Sequence, residues 1–286
     1  MKRILLTGGN GFIGRNIKEQ LGKEYDLVAP SSEELDLLDI DSVGQYIRQY
    51  KITDIIHTAV YNQRRRDVNP RMDLSCNLKM FYNLIEYAGE IDKVIYFGSG
   101  AEYDKRYPIQ NFKEEDFGRR VPNLNDYSLS KYIMNLETRK SSNIYNLRLF
   151  GVYGKYENHK ACFPSHLCLS ALKGKTLTIR QNCIFDFLYV DDLITPVKWV
   201  LENKPQYQDY NVCTASPIEL SKMAEIIKVI SGKQIEVACL MEGMNFEYTG
   251  DNKRLNKEIE LRLTPIECGL EKLFEYYKGR QVLWRE

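Results

Sequence analysis

The chain has 286 residues, long for one small domain and suited to one large or two unequal ones. Charged residues make up 28% and nearly cancel, to a formal net charge of +1, which argues against a nucleic-acid or membrane-surface partner. No apolar run is long enough to cross a bilayer, and residues 1–6 already read as a core strand rather than a signal peptide. Seven scattered cysteines without paired spacing argue against a disulfide framework and fit a reducing cytoplasm. With three histidines and no CxxC pattern, no metal site is predicted.

The first strand, Lys2 to Leu6, runs through Thr7 into Gly8-Gly9-Asn10-Gly11-Phe12-Ile13-Gly14. The spacing GxxGxxG places backbone N–H groups and a helix N-terminus at one point, where a pyrophosphate can bind. Gly8 allows the tight turn, Gly11 lets the backbone approach the phosphates, and Gly14 lets the helix pack on the strand. Asp26 to Ala29 reads as a second strand, and Ser42 caps a helix with Val43, Tyr46, Ile47 and Tyr50 on one stripe. Asp54 to Ala59 is the next strand; Leu74, Leu78, Phe81, Ile85 and Ala88 follow at helical spacing. Arg64-Arg65-Arg66 reads as a solvated loop or as a contact to a substrate diphosphate. Strand Val94 to Phe97, helix Tyr127 to Lys140 and strand Ile144 to Leu149 complete an alternation that predicts a parallel sheet with helices on both faces. Residues 104–126 are polar, carry Pro108 and Pro122, and read as a loop over the active site.

The second half changes character. Ser216-Pro217-Ile218-Glu219 has the form of a capping box before a helix with Leu220, Met223, Ala224 and Ile227 that stops near Gly232. Thr264-Pro265-Ile266-Glu267 repeats the device before a last helix, with Leu270, Leu273, Phe274 and Tyr277, ended by Gly279. These later elements are too few for a second independent sheet. The predicted class is α/β: a Rossmann-type doubly wound parallel sheet with a smaller C-terminal α/β substrate lobe. Residues 1–155 form the dinucleotide-binding part, to which some of 185–210 returns, and 156–286 form mainly the lobe.

Two further features point to chemistry. Tyr127 and Lys131, four apart on a helix, share a face, so the lysine charge lowers the phenol pKa and readies it for proton transfer. Ser99, at the C-terminal end of its strand, can hydrogen-bond a substrate carbonyl or alkoxide.

Together these motifs resemble the extended short-chain dehydrogenase/reductases that act on nucleotide sugars. The resemblance runs along most of the chain: residues 7–14, Leu37-Leu38-Asp39, Ile56-His57-Thr58-Ala59, Asn77, Ser99-Gly100-Ala101-Glu102-Tyr103, Tyr127 to Lys131, Arg148 to Gly154, and Phe187 to Asp192. It implies cofactor contacts from Gly8, Asn10, Gly11, Phe12, Ile13, Gly14, Asp39, Ile40, Thr58, Ala59, Asn77, Lys131 and Phe150. Asp39 also reads as a helix N-terminal cap. It implies substrate contacts from Ser99, Gly100, Ala101, Tyr127 and Phe187, while Arg180 and Lys173 are candidates for the diphosphate. Members that bind NAD usually carry an acidic residue after the second strand; here stand Ala29-Pro30-Ser31-Ser32. With no carboxylate there, and with Ser31, Ser32 and Asn10 able to donate to a 2′-phosphate, NADP(H) is favoured over NAD(H).

Departures from the family narrow the reaction. Dehydratases carry an Asp-Glu pair directly after the active hydroxyl residue, where this chain has Gly100 and Ala101, and strand alternation turns Glu102 away. The epimerase–reductase that makes GDP-fucose needs a cysteine where Ala101 stands and a histidine near Ala161, with His159 and Cys162 close by. Lys155 stands where proline is usual, and Phe185 where arginine is usual. Two reactions survive: reduction of a 4-keto sugar, with hydride to C4 and a proton from Tyr127, and NAD-dependent 4-epimerisation. A non-catalytic dinucleotide-binding protein is the remaining alternative. The resemblance further implies polysaccharide biosynthesis and a homodimer packed through the helices near 74–88 and 127–140.

Overall fold

A computed structural model describes residues 2–61 and 72–280; the Arg64-Arg65-Arg66 run lies outside them. The chain passes in order through β1 (Arg3–Thr7), α1 (Phe12–Leu21), β2 (Asp26–Val28), α2 (Ile40–Tyr50), β3 (Asp54–His57), α3 (Asp73–Ile85) and β4 (Lys93–Ser99). Then come β5 (Ile109–Phe112), α4 (Asp126–Thr138), β6 (Ile144–Leu149), β7 (Gly151–Tyr153), α5 (Phe163–Leu172), β8 (Leu177–Asn182), β9 (Ile184–Phe185) and β10 (Phe187–Tyr189). The remainder holds α6 (Ile194–Glu202), β11 (Asp209–Val212), β12 (Ile218–Glu219), α7 (Leu220–Ser231), β13 (Val237–Met244), β14 (Tyr248–Gly250), α8 (Lys253–Asn256) and α9 (Ile266–Lys278).

The main sheet has six parallel strands in the order β11-β6-β4-β3-β1-β2. Its strands are apolar on both faces, as a sheet covered on both sides requires. Ile4, Leu6, Ile56, Ile95 and Leu147 meet residues of α1 and α6 on one face. Leu5, Ile55, Val94 and Tyr96 meet Val43 and Ile47 of α2, Phe81 and Leu84 of α3 and Met134 of α4 on the other. The strand order reverses beside β1, and the crevice at the strand C-termini there is the usual ligand position in such sheets.

The second half does build sheets, against expectation. The largest runs β12-β9-β14-β5 and draws its strands from four separate stretches of sequence, one of them in the first half. Its strands have two to four residues, too short for alternation to register. One of them, β5, lies within 104–126, so that stretch is partly a strand and not a plain loop. Pairs β13-β8 and β10-β7 add further edges, while α5, α7 and α9 enclose a separate apolar core with β8.

Several caps also differ from the sequence reading. Asp39, not Ser42, caps α2, its carboxylate accepting from the Asp41 N–H at 3.1 Å. Ser216 caps nothing: Ile218 and Glu219 are claimed first by pairing with Phe185 and Ile184, and α7 starts at Leu220. Thr264 is bound instead by Asp192, which accepts its hydroxyl at 2.7 Å and its N–H at 2.9 Å, so Pro265 takes the cap position of α9. Gly232 closes α7 in the left-handed conformation that favours glycine, whereas Gly279 ends α9 right-handed.

Glu157 joins the lobe's helices. It is buried, and one carboxylate oxygen accepts from the Ser165 N–H and hydroxyl at the start of α5. The other oxygen has no hydrogen-bond partner among the described residues. Burial pushes its pKa up to about 7, with the Ser165 contacts opposing. A carboxyl raised in the folded state costs nothing while protonated in both states. The cost builds as pH climbs through the unfolded value and is complete above pH 7. Replacing Glu157 by Gln removes this slope. Between pH 5 and pH 8 the stability difference should move in the variant's favour by about 2 kcal/mol in denaturant titrations; a difference independent of pH would refute the assignment.

Candidate active site

The C-terminal ends of β1, β3, β4 and β6 open onto one cleft of about 230 Å³. Phe12 and Ile13 of α1 line it, with His57, Thr58 and Val60 after β3, Phe97, Gly98 and Ser99 of β4, Tyr127 and Lys131 of α4, Leu149, Phe150 and Val152, and Cys162. The three residues singled out as catalytic, Ser99, Tyr127 and Lys131, are therefore brought to one place although Ser99 and Lys131 stand 32 positions apart.

The glycine turn is shaped for a dinucleotide. Gly8 has φ +70°, and a Cβ on it would stand 2.6 Å from the Ala59 nitrogen. A Cβ on Gly14 would stand 2.2 Å from the Gly8 carbonyl oxygen. The Gly11 N–H donates to that same oxygen at 2.9 Å, tightening the turn. Gly11 is the N-cap of α1 and brings no side-chain cap, nor is there an acidic residue in the first turn. The first N–H groups of the helix are thus left for an anion. Thr58 supports the floor by donating to the Thr7 carbonyl at 2.7 Å.

Lys131 is buried, and its ammonium donates to the Phe97 carbonyl at 2.8 Å. Its nitrogen lies 5.9 Å from the centre of the Tyr127 ring. Burial pulls its pKa down to about 8, only partly opposed by the Glu102 charge. His57 is buried beside it, its Nδ1 2.7 Å from the Thr7 hydroxyl. Burial, and then the Lys131 charge, hold His57 down at about 3, so it is a neutral ring at working pH.

Ser99 is fixed from behind. Its N–H donates to Glu102 at 3.0 Å, and its hydroxyl accepts from the Ala101 N–H at 3.2 Å within a short 3-10 turn. Glu102 faces away from the cleft as expected, but a turn places it there and not strand alternation. It accepts from Arg148 Nε at 2.8 Å and from Asn146. Arg148 lies within β6 and reaches Asp209 at 2.8 Å and the Tyr103 hydroxyl at 3.0 Å. Burial raises Glu102 despite its arginine, whereas for Asp209 the Arg148 and Arg139 guanidiniums outweigh burial and hold the carboxyl at about 2.

Other residues expected to make contacts lie outside the lining of this cleft. Asn77 is spent on Tyr61, accepting from its N–H at 2.9 Å and donating to its carbonyl at 3.0 Å. Asp39 and Ile40 open α2 at the surface. Gly100 and Ala101 form the turn beneath Ser99, and Phe187 packs on Phe185, outside the cleft lining. Arg180 is exposed on β8 and Lys173 ends α5. Residues 29–32 after β2 carry no carboxylate, but a little further on Glu34 turns back to accept the Ser31 N–H at 2.7 Å, and the Glu34 N–H donates to the Ser31 hydroxyl at 3.3 Å. Sequence reasoning also missed Cys162 as a lining residue, and Tyr248, whose hydroxyl lies 3.4 Å from Ser99 Oγ. Tyr248 is 149 positions from Ser99, so no local pattern could announce it.

A glycine cradle at the switch point of a parallel sheet, facing a Ser-Tyr-Lys set, defines a dinucleotide-dependent oxidoreductase of the extended short-chain type. The chain belongs to the NAD dependent epimerase/dehydratase family, whose model matches residues 4–213. Its relatives include an ADP-L-glycero-D-manno-heptose-6-epimerase from Brachyspira hyodysenteriae, 26% identical over 88% of this chain and 90% of the relative. A GDP-L-fucose synthetase from Naegleria fowleri bound to NADP has the same fold, with TM-score 0.87 at 18% identity over 100% of this chain and 95% of that one. So does a GDP-mannoheptose C4 reductase from Campylobacter jejuni with NADP bound, with TM-score 0.84 at 18% identity over 97% and 98%. Among the described residues no helix is long and apolar enough to cross a membrane.

Proposed function

We propose that the protein reduces the 4-keto group of a nucleotide-activated deoxysugar, using NADPH. The observation that carries this reading is the convergence of Ser99, Tyr127 and Lys131 on one cleft whose other walls are mainly apolar. The dinucleotide, when bound, supplies hydride. Tyr127 gives its proton to the oxygen that becomes an alkoxide, and Ser99 donates a hydrogen bond to the same oxygen. The Lys131 ammonium, desolvated and anchored on the Phe97 carbonyl, offsets the negative charge left on the phenol. With Glu102 committed to Arg148 inside the protein, the acid that a dehydratase needs at this position is not presented to the cleft.

The serine hydroxyls after β2 and the Asn10 amide support NADPH as reductant. Glu34 at the same strand end favours a second reading, an NAD-dependent 4-epimerase, because a carboxylate there suits a ribose diol and repels a 2′-phosphate. The names of the similar proteins include both an epimerase and a C4 reductase. We place the reaction in the cytoplasm, whose reducing conditions suit a chain with seven scattered cysteines and no paired spacing. We assign the protein to polysaccharide biosynthesis as a homodimer. Adjacent α3 and α4 support the dimer, with Tyr82 and Leu136 exposed on them.

The test mixes the pure protein with nucleoside-diphosphate 4-keto-6-deoxyhexoses and NADPH or NADH. Loss of NADPH absorbance with one of them is the expected result. If none oxidises NADPH, and the protein as isolated converts a UDP-hexose with its own NAD+, the epimerase reading replaces this one.

A further inference from the structure

Behind Ser99, on the side away from the cleft lining, sits a second phenol. Tyr248 of β14 is buried. Its ring packs on Phe150 and Phe185, with centres 5.2 and 4.7 Å apart, and the Lys105 ammonium stands 4.0 Å above its face. Space for the hydroxyl is reserved by Gly100, where a Cβ would come within 2.7 Å of it. Besides Ser99 Oγ at 3.4 Å, the Tyr248 oxygen has the Ala101 N–H as a hydrogen-bonding neighbour. An amide N–H can only donate. By distance either hydroxyl of the Tyr248–Ser99 pair can be the donor, and Ser99 Oγ is an acceptor within reach of the Tyr248 proton.

Serine has one proton and two acceptor positions. At Ser99 one position takes the Ala101 N–H at 3.2 Å, and the Tyr248 hydroxyl lies 3.4 Å away. We propose that Tyr248 donates to the second position and is thus a positioning residue that fixes Ser99 as a hydrogen-bond donor into the cleft. The inference rests on Ser99 meeting the substrate oxygen. It adds that the serine proton points at that oxygen before substrate arrives, which is the preorganisation that stabilises a developing alkoxide. Burial raises the Tyr248 pKa far above its ordinary value, so this donor keeps its proton across the working range.

The experiment compares Tyr248→Phe, Ser99→Ala and the double variant with whichever nucleotide sugar the wild type turns over. The expected result is a fall in kcat of about tenfold in Tyr248→Phe. KM and the NADPH dissociation constant should stay within about twofold, and the double variant should be no slower than Ser99→Ala alone. A kcat in Tyr248→Phe close to wild type, or losses that multiply in full in the double variant, overturns the proposal. Loss of the proposed reaction itself is read separately, from a wild type inert towards every sugar. In that event crystal structures decide. One Ser99 rotamer in the wild type and a second one populated in Tyr248→Phe supports the proposal; an unmoved Ser99 hydroxyl in the variant overturns it.

Discussion

Tyr127→Phe should lower kcat by about 10³-fold while leaving NADPH affinity within about twofold of wild type. The ring stays, so the wall of the cleft stays; only the proton donor is lost. The wild-type rate should also fall on the alkaline side with a midpoint near pH 8. The folded-state pKa of Lys131 is drawn down to about 8, so its ammonium is present below that pH and lost above it. With the charge goes the group that offsets the phenolate. Stopped-flow or steady-state NADPH absorbance measures both effects. A Tyr127→Phe protein retaining more than a tenth of the wild-type rate would end the mechanism proposed here.

Arg148→Met should be the most destabilising single change outside the cleft. Arg148 is fully buried and bridges Glu102 and Asp209, each at 2.8 Å. Asp209 keeps Arg139 and Arg254 after the substitution, but Glu102 keeps only amide donors. Removing one partner of a buried ion pair costs roughly 3–5 kcal/mol, because the remaining charge is uncompensated. For a chain of this size that corresponds to a fall in Tm of about 10 °C. The double variant Arg148→Met/Glu102→Gln should recover part of the loss, since the stranded charge is then gone. Calorimetry showing Arg148→Met within about 2 °C of wild type would contradict this account.

The network bears on function as well as stability. Glu102 holds the Ser99 N–H, and Asn146, itself bonded to Glu102, accepts the Gly98 N–H at 2.9 Å. The strand end that presents the serine is thus pinned by the ion pair.

What the sequence revealed and what it hid follow one physical division. The glycine turn, the strand-end serine and the Tyr127–Lys131 pair are readable because each is a local device: its residues act on the backbone within one turn or one strand. The parallel sheet is readable because β1, β3, β4 and β6 each carry a run of buried apolar residues and alternate with stretches of helical spacing. The small sheet was not, since its strands have two to four residues and pair with distant stretches, β14 with β5 across more than a hundred positions. Tyr248 is missed for the same reason: it reaches Ser99 across 149 positions, through a fold-back that only tertiary structure supplies. The capping signals at Ser216 and Thr264 failed because a pairing strand and Asp192 reach those residues first. Asp39 fills a helix cap that the sequence left open as an alternative role.

The buried guanidinium has an implication for the birth of the chain. Arg148 leaves the ribosome 61 residues before Asp209, and the edge strand that carries Asp209 is the last to join the main sheet. A nascent chain halted between those positions carries the cation without its second counter-ion and a hydrogen-bonding edge still bare. Folding of the nucleotide-binding core is therefore a late event in translation, and a fragment ending near residue 155 should be prone to aggregate.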